Sequence, residues 1–380
     1  MLRRSTRMET VNESTPSPRA LQWAATMGGF LGSDDVVRAH ADSRALVEPR
    51  RITRERRESP GAQDLTTGAS RESGAGERAR REEPDEFRSC FERDRDRILH
   101  SSAFRRLSGK TQVFVFPDDH MRTRLTHALE VAQVATSVAR ATGLNATLTD
   151  AIALGHDCGH GPGGHASEDA LEIYLPEGFD HAQWGADVAL ASLNLCRETL
   201  DGVRNHSWSR PAPSTPEGEV VSWADRIAYV CHDFEDALSA GVVQPGDLPR
   251  AVRERCGESR SHQLRYFIRA LIDTISSSGV VGMASEPAAT LREFRDFNYR
   301  AIYMRDASRL QAERVVTMLR ALVEYYRARP EALPVDYREW EDPLRAGVAY
   351  VAGMTDRFAC RSAVQHLDWP VAQLPSGIDR

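Results

Sequence analysis

The stretch from Leu125 to Thr142 constrains the fold of this 380-residue chain most strongly, because it is apolar on two sides at helical spacing. One face carries Leu125, Ala128, Leu129, Ala132, Ala135 and Ala139, and the face that carries His127 continues through Val131, Val134 and Val138. Apolar residues at three- and four-residue steps predict an α-helix. A helix that is apolar on both sides is typical of the interior of a helical protein. Asp118 or Asp119 can cap its start and Gly143 its end.

Further helical patterns fill most of the chain after residue 87, and no strand ladder accompanies them. They cover residues 147–158, a segment that begins near His165, and residues 220–240, 262–278, 286–328 and 342–362. Gly159 and Gly241 follow two of these segments, as glycine commonly does at helix ends. The sequence therefore predicts an all-α fold without internal repeats.

Composition divides the chain into three parts. Residues 1–85 are rich in Ser, Gly, Pro, Arg and Glu, and a segment of this kind buries too little apolar surface to fold. We expect this part to be poorly ordered and dispensable for catalysis. We expect the core over residues 86–245, and a helical region that packs on the core over residues 246–380.

Charge, hydropathy and cysteine usage exclude several classes of protein. The net charge of −6 gives no case for a nucleic-acid-binding surface. No apolar run approaches the ~20 residues of a membrane span, and the first residues lack the apolar region of a secretory signal. Six scattered cysteines without a C-x-x-C pair are typical of a reduced, cytoplasmic protein.

Two histidines and two aspartates on three predicted helices form the strongest chemical pattern. His127 lies in the middle of the first helix, and Asp225 lies in the 220–240 segment. His156 and Asp157 are adjacent at the end of the second helix, where both side chains can turn toward one point. Together these side chains can converge on one divalent cation. The mixed nitrogen and oxygen set suits Mn, Fe, Co, Ni or Zn better than Ca, and the choice among these and Mg stays open.

Six ordered blocks carry a resemblance to a known family. They are RDRILHS from Arg95, FRRLSGKTQVF from Phe104, RTRLTHALEVAQVA from Arg122, HDCGHGPGGHASE from His156, ADRIAYVCHDFEDA from Ala224 and GMTDRFA from Gly353. Their succession resembles the bacterial deoxyguanosine triphosphate triphosphohydrolases, a family of the HD superfamily of metal-dependent phosphohydrolases. The resemblance covers residues 87–362. It implies an HD-domain helical bundle with additional C-terminal helices, in which residues 86–245 form the HD core.

The same resemblance implies which residues bind metal and which are catalytic. The residues that match the family's metal ligands are His127, His156, Asp157 and Asp225, and those that match its catalytic group are His160, His165, Glu168 and His181. His165 and Glu168 are three residues apart at a helix start and share a face, which suits a carboxylate that orients a proton-handling imidazole. Alternatively, Glu168 only complements the positive helix N-terminus. Ala182 follows His181 where the family often has Asn.

The resemblance also implies which residues contact the substrate. Arg124, one turn before His127, matches an arginine that contacts the phosphates, and Arg226 matches a second basic phosphate contact. Asp225, Tyr229 and Asp233 step by four along one helix face. In relatives the tyrosine packs near the sugar, where a 2′-hydroxyl would clash, and the aspartate accepts from the 3′-hydroxyl.

Two positions in the FRRLSGKTQVF block concern selectivity and phosphate binding. Lys110 is the chain's single lysine, and the resemblance allows either a phosphate contact or a contact with a neighbouring subunit. Ser108 stands where relatives often carry Gln or a longer polar residue near the sugar. Because serine reaches less far, we expect looser selection of the sugar or base.

The resemblance implies hydrolysis of deoxynucleoside triphosphates, dGTP or several of them, to deoxynucleoside and inorganic triphosphate by a homo-oligomer. One alternative is another HD hydrolase, a nucleoside monophosphatase or a guanosine tetraphosphate hydrolase. The FRRL…KTQV and GMTDR blocks argue against both. A second alternative is a nucleotide-binding regulator that has lost catalysis, and the complete set of metal ligands with His165 and Glu168 argues against it.

Overall fold

The computed structural model describes residues 30–31, 37–38, 48–59, 64–117 and 120–376. The chain divides into two compact units, Met1–Arg51 and Ile52–Arg380. In the first unit, Phe30–Leu31 (β1) and Val37–Arg38 (β2) pair as antiparallel strands. The expected caps Asp118 and Asp119 lie outside the described residues.

The second unit is helical, which confirms the predicted all-α class. Its helices are Arg54–Glu58 (α1), Cys90–His100 (α2), Ser102–Arg106 (α3), Arg124–Thr142 (α4), Ala146–Gly155 (α5), Ala166–Leu171 (α6), His181–Trp184 (α7), Arg197–Asn205 (α8), Pro216–Ser239 (α9), Arg250–Cys256 (α10), Arg260–Ser278 (α11), Ser285–Asn298 (α12), Asp306–Ala328 (α13), Val335–Arg338 (α14), Pro343–Ala352 (α15) and Asp356–Leu367 (α16).

Shorter helical turns connect several of these helices. The 3₁₀ turns are Leu107–Gly109, Glu172–Tyr174, Ala191–Leu193, Pro245–Asp247, Pro330–Ala332 and Val371–Gln373, and the π-helical segments are Gly185–Ala189 and Tyr299–Tyr303. Among the described residues, no helix is both long enough and apolar enough to cross a membrane.

Helix α4 lies in the interior, as its sequence predicts. It begins after Thr123, whose backbone N–H donates to the hydroxyl of Thr126 over 3.0 Å, and it ends at Gly143 in the left-handed conformation. Helices α5 and α9 pack against it, and its buried residues include Val131 and Val138. Leu129 departs from the prediction and is exposed. The three helices that carry the predicted metal ligands are therefore direct neighbours.

The C-terminal helices build a second apolar cluster beside the active-site segment. Helix α13 packs against α6 and also against α15 and α16. Leu319, Leu322 and Val351 are fully buried in this cluster. Because α6 carries Glu168, these helices support one side of the predicted catalytic group.

Residues 64–85 differ from the sequence-based expectation of a poorly ordered segment. The hydroxyl of Ser70 donates to Glu217 Oε2 over 2.7 Å. Arg78 Nη1 lies 2.6 Å from Asp94 Oδ1, and both side chains are buried. The prediction failed here because it considered apolar content alone, whereas this segment is fixed by charged side chains that enter the core.

Candidate active site

Three of the four predicted metal ligands converge on one point. His127 Nε2 lies 3.0 Å from Asp225 Oδ1, and His156 Nε2 lies 3.7 Å from the same oxygen. These three ligand atoms all lie within 4.8 Å of one another. Helices α4 and α9 supply His127 and Asp225, and His156 stands immediately after α5. The spacing suits a single cation bound between them.

The surroundings of His156 show that its inner nitrogen suits a metal. Its Nδ1 lies 2.6 Å from the carbonyl oxygen of Ala153, so Nδ1 carries the proton and Nε2 has a lone pair. Among the residues that the structure describes, that Nε2 is buried without a hydrogen-bond partner, a costly arrangement unless an ion binds there. A histidine whose outer nitrogen donates to a carbonyl is the usual form of a metal ligand.

Asp157 completes the predicted set through one oxygen. Its Oδ1 lies 3.4 Å from His156 Nε2, while its Oδ2 accepts from Arg124 Nη1 over 2.7 Å. Burial raises the pKa of Asp157, but the charges of Arg124, His156 and His160 together outweigh burial and hold that pKa well below its usual range. The carboxylate is therefore ionised, as a metal ligand must be.

The glycine loop between α5 and α6 positions Arg124. Gly163 and Gly164 both have positive φ angles, of 73° and 64°. A Cβ atom at Gly164 would lie 3.0 Å from Arg124 Nη2. Only glycine adopts this backbone without strain, so the loop can pass directly over the guanidinium.

Glu168 binds two of the predicted catalytic histidines at once. His165 Nδ1 lies 2.8 Å from Glu168 Oε2, and His181 Nδ1 lies 2.7 Å from Glu168 Oε1. Burial raises the pKa of Glu168, but hydrogen bonds from both imidazoles hold it far below its usual range. The alternative that Glu168 only complements a helix N-terminus leaves these two contacts unexplained.

The histidines of the predicted catalytic group differ sharply in exposure. The His165 side chain is 75% exposed, whereas that of His181 is 9% exposed. His160 is buried and stacks on His181 with ring centroids 3.7 Å apart. Burial, together with the charges of Arg124 and His181, lowers the pKa of His160 well below its usual range. His160 is therefore held neutral, and His165 is the histidine that an arriving substrate can reach.

A second pair of contacts lies further along α9. Arg295 Nε donates to the hydroxyl of Tyr229 over 2.9 Å, and the hydroxyl of Tyr303 donates to Asp233 Oδ2. Burial raises the pKa of Asp233 to about 7, against the opposing hydrogen bond from Tyr303. The other carboxyl oxygen, Oδ1, is buried and has no hydrogen-bond partner in the described part of the chain. That oxygen can accept a hydrogen bond from a ligand.

Arg226 lies beside the metal-ligand cluster and stacks on an aromatic ring. Its guanidinium carbon is 3.5 Å from the centroid of Trp208. Trp208 is itself 47% exposed. The Arg226 guanidinium is therefore held near the surface of the site, where an anionic ligand can contact it.

Lys110 is not placed for the phosphate or subunit contact that the sequence allowed. Its buried amino group donates to the main-chain carbonyl of His160 and, over 3.0 Å, to that of Ala352. Asp356 accepts beside it from the hydroxyl of Thr111 over 2.6 Å and from the N–H of Gly163 over 2.9 Å. The KTQV and GMTDR blocks thus fasten the glycine loop to the C-terminal helices. Ser108, the position linked to selectivity, donates to the carbonyl of Arg105.

His206 is a site residue that the sequence analysis missed. It is buried, its Nε2 lies 3.2 Å from His181 Nε2, and its ring centroid lies 4.9 Å from that of His156. A signal was available, because His206 directly follows a helix, as His156 does. Tyr303 and Arg295 were also missed, and no local pattern marks them.

Comparison with known proteins identifies the family. Family models match residues 124–230 as an HD domain and residues 281–365 as a phosphohydrolase-associated domain. A deoxyguanosinetriphosphate triphosphohydrolase-like protein of Caldanaerobacter subterraneus subsp. tengcongensis is 41% identical over 300 residues, which cover 76% of this chain and 88% of the relative. The chain belongs to the family of deoxyguanosinetriphosphate triphosphohydrolase-like proteins. The resemblance inferred from the sequence is confirmed.

Other members of this family match over similar lengths. A protein of the same name from Clostridium perfringens is 42% identical over 300 residues, covering 74% of this chain and 87% of the relative. One from Caulobacter vibrioides is 36% identical over 369 residues, covering 76% and 93%. Among solved structures, a phosphohydrolase from Bacteroides thetaiotaomicron is 16% identical with a TM-score of 0.43, covering 71% of this chain and 68% of that one.

Family membership supports the chemistry that the geometry suggests. HD domains bind divalent metals, and the matched HD domain contains the whole predicted metal-ligand set. The chain is a phosphohydrolase of this family.

Proposed function

We propose that the protein hydrolyses deoxynucleoside triphosphates to deoxynucleoside and inorganic triphosphate. One observation carries this proposal, namely the succession of three features along the site. The first is the metal-ligand cluster, the second is the exposed His165 bound to Glu168, and the third is the polar pair Tyr229 and Asp233, which suits a sugar. Asp225, Tyr229 and Asp233 are spaced by four residues, so Tyr229 lies about 6 Å and Asp233 about 12 Å along the helix from the metal ligand. That span matches an α-phosphate followed by a deoxyribose.

The catalytic groups act on the ester bond at the 5′-oxygen. A divalent cation bound here would act as a Lewis acid toward the α-phosphate and lower the pKa of a bound water. His165 is held by Glu168 through Nδ1, so its Nε2 is free to give a proton to the departing 5′-oxygen. Water adds to the α-phosphorus, the bond to the 5′-oxygen breaks, and triphosphate carries the incoming oxygen away.

The arginines bind the charge of the triphosphate. Arg124 is buried against Asp157, and its Nε has no hydrogen-bond partner in the described residues. Arg226 is half-buried on Trp208, and among the described residues its Nε has no hydrogen-bond partner. Guanidinium groups suit phosphate oxygens because they donate two parallel hydrogen bonds.

The sugar is selected by the residues further along α9. Asp233 accepts from the 3′-hydroxyl through its unpartnered Oδ1, and Tyr303 keeps the other oxygen occupied. Tyr229 is held in place by Arg295, so its ring stays where a 2′-hydroxyl would clash. A deoxynucleotide therefore binds in preference to a ribonucleotide.

The decisive experiment follows the products of a dGTP digest by phosphorus NMR at early times. The expected signals are those of triphosphate, without early pyrophosphate or dGMP. In ¹⁸O-water the label enters the triphosphate and not the deoxynucleoside. Pyrophosphate appearing together with dGMP from the start would contradict the proposal and assign the protein to a different hydrolase class.

A panel of substrates and metals separates the remaining alternatives. All four dNTPs and NTPs are tested with Mn, Mg and Co, alongside dGMP and guanosine tetraphosphate. Turnover of dGMP or guanosine tetraphosphate without turnover of dNTPs would favour another HD hydrolase. Assembly as a homo-oligomer in the cytoplasm is part of the proposal, and light scattering of the purified chain measures the assembly.

A further inference from the structure

Two buried cysteines from distant parts of the sequence lie side by side, away from the metal-ligand cluster. Cys90 is the first residue of α2, and Cys196 directly precedes α8. Their exposed fractions are 1% and 0%, and both thiols are free. The N–H of Cys196 donates to Asp94 of α2 over 2.8 Å, so the start of α8 is fixed against α2 and the two cysteines are brought together.

The position of Gly76 shows how closely the two sulfur atoms approach each other. A Cβ atom at Gly76 would overlap Cys196 Sγ and would lie 3.4 Å from Cys90 Sγ. Both sulfur atoms therefore lie around one point, and the two thiols are hydrogen-bond partners. A disulfide requires a sulfur–sulfur distance of about 2.05 Å, so the side chains need only close the gap between contact and bonding distance.

The two thiols differ in reactivity. The hydrogen bond with Cys196 lowers the pKa of the Cys90 thiol, and burial opposes this effect. The same hydrogen bond, together with burial, raises the pKa of the Cys196 thiol. The thiolate is the form of cysteine that attacks peroxides and disulfides. Cys90 is therefore the sulfur that an oxidant meets first, and Cys196 is the thiol that completes a disulfide.

A single turn of backbone separates the pair from solvent. It runs from Ser73 to Gly76, and the N–H of Gly76 donates to the carbonyl of Ser73 over 2.9 Å. Gly76 is half-buried, whereas the sulfur atoms beneath it are buried. A small oxidant can thus reach Cys90 through a local opening of this turn, without separation of the core helices.

We propose that Cys90 and Cys196 form a reversible disulfide, a redox modification site outside the active site. Hydrogen peroxide oxidises the Cys90 thiolate to a sulfenic acid and releases hydroxide. The Cys196 sulfur then attacks the sulfenic sulfur, the S–S bond forms and water leaves. Two thiols and one peroxide give one disulfide and two waters. The bond joins the first residue of α2 to the start of α8, the helix that His206 follows.

The test counts thiols in the intact, full-length protein. Reduced chain is freed of reductant, treated with a small excess of hydrogen peroxide, quenched with catalase, unfolded in urea with iodoacetamide and weighed by mass spectrometry. The wild type, which has six free cysteines, should take up four alkyl groups and yield a linked Cys90–Cys196 peptide after proteolysis. Dithiothreitol should restore all six. Cys90→Ser should alkylate at every remaining thiol. The matched control Cys360→Ser, which removes a buried cysteine of α16, should still lose two.

Two results would overturn the inference: six alkylated thiols in the peroxide-treated wild type, or a disulfide that joins other cysteines. Stable sulfinic acid on Cys90 without a link would also contradict it, because a thiol in contact should react with the sulfenic acid first. If Cys90→Ser fails to fold, the peptide map of the wild type decides. The thiol count involves neither metal nor nucleotide, so its failure and the failure of the proposed hydrolysis are separate results.

Discussion

Replacing Arg78 by alanine tests whether the segment before the helical core belongs to the fold. The Arg78 guanidinium donates to Asp94 and to the carbonyls of Cys90 and Asn194. The Arg78 and Asp94 side chains are 1% and 0% exposed. Removing one partner of a buried ion pair leaves an uncompensated charge and costs about 3–5 kcal/mol. We expect Arg78→Ala to lower the free energy of unfolding by this amount.

Urea unfolding followed by circular dichroism measures the loss. With a slope of about 3 kcal/mol per molar urea, the midpoint falls by about 1–1.7 M. Arg80→Ala is the matched control, because Arg80 is an exposed arginine that donates to the carbonyl of Ser192, and its loss should cost no more than about 0.5 kcal/mol. A chain that starts at Pro84 loses Arg78 as well and should be destabilised, contrary to the expectation that residues 1–85 are dispensable.

The Arg78→Ala substitution should also disturb the active site. Asp94 Oδ2 also accepts from the backbone N–H of Cys196 over 2.8 Å and from the hydroxyl of Thr199 over 2.7 Å. Cys196 and Thr199 lie at the start of helix α8, and His206 lies at its other end. Equal urea midpoints for Arg78→Ala and Arg80→Ala would refute this reasoning. The loss of a buried ion pair should lower the free energy of unfolding more than the loss of an exposed hydrogen bond.

Four further predictions concern the site. His156→Ala should lose bound metal and turnover together, and a variant that retains both after chelation and reloading would exclude His156 as a ligand. Glu168→Gln should lower kcat about 10²–10⁴-fold at unchanged metal content, because His165 loses the carboxylate that orients it; unchanged kcat would remove the pair from the mechanism. Tyr229→Ala should narrow the preference for dGTP over GTP, and equal wild-type rates on both nucleotides would contradict the steric argument. Burial raises the pKa of Asp233 to about 7, above its value of about 3.9 in the unfolded chain, so the wild type should lose stability as the pH rises from about 4 through about 7. The loss in the free energy of unfolding is at most about 4 kcal/mol. Asp233→Asn should abolish this pH dependence. The prediction would be wrong if the urea midpoint shifted equally between pH 5 and pH 8 in both proteins.

The closeness of the predicted metal ligands could be predicted because each of these residues lies in a recognisable local context. His156 and Asp157 stand where a helix ends and a glycine loop begins, and His127 lies in an unmistakable apolar helix. Asp225 and Asp233 follow a four-residue step that fixes their common face. In each case the geometry depends on one helix or on a short stretch of chain, which a single sequence displays directly.

The remaining site residues depend on contacts between distant segments. Tyr303 reaches Asp233 across 70 positions, and Arg295 reaches Tyr229 across 66, so no local pattern reveals them. Lys110 was assigned a phosphate or subunit contact because of its place in the KTQV block, which resembles the family. The amino group instead meets two carbonyls, and only the packing of helix α15 against the glycine loop shows this.

The placement of Lys110 has a practical consequence for chemical labelling. It is the single lysine of the chain, and its amino group is buried between the glycine loop and the end of helix α15. Reagents that acylate amines thus have one side-chain target, which they reach only when the glycine loop separates from helix α15. The rate of acylation, followed by intact mass, would therefore report how often this segment opens in the native protein.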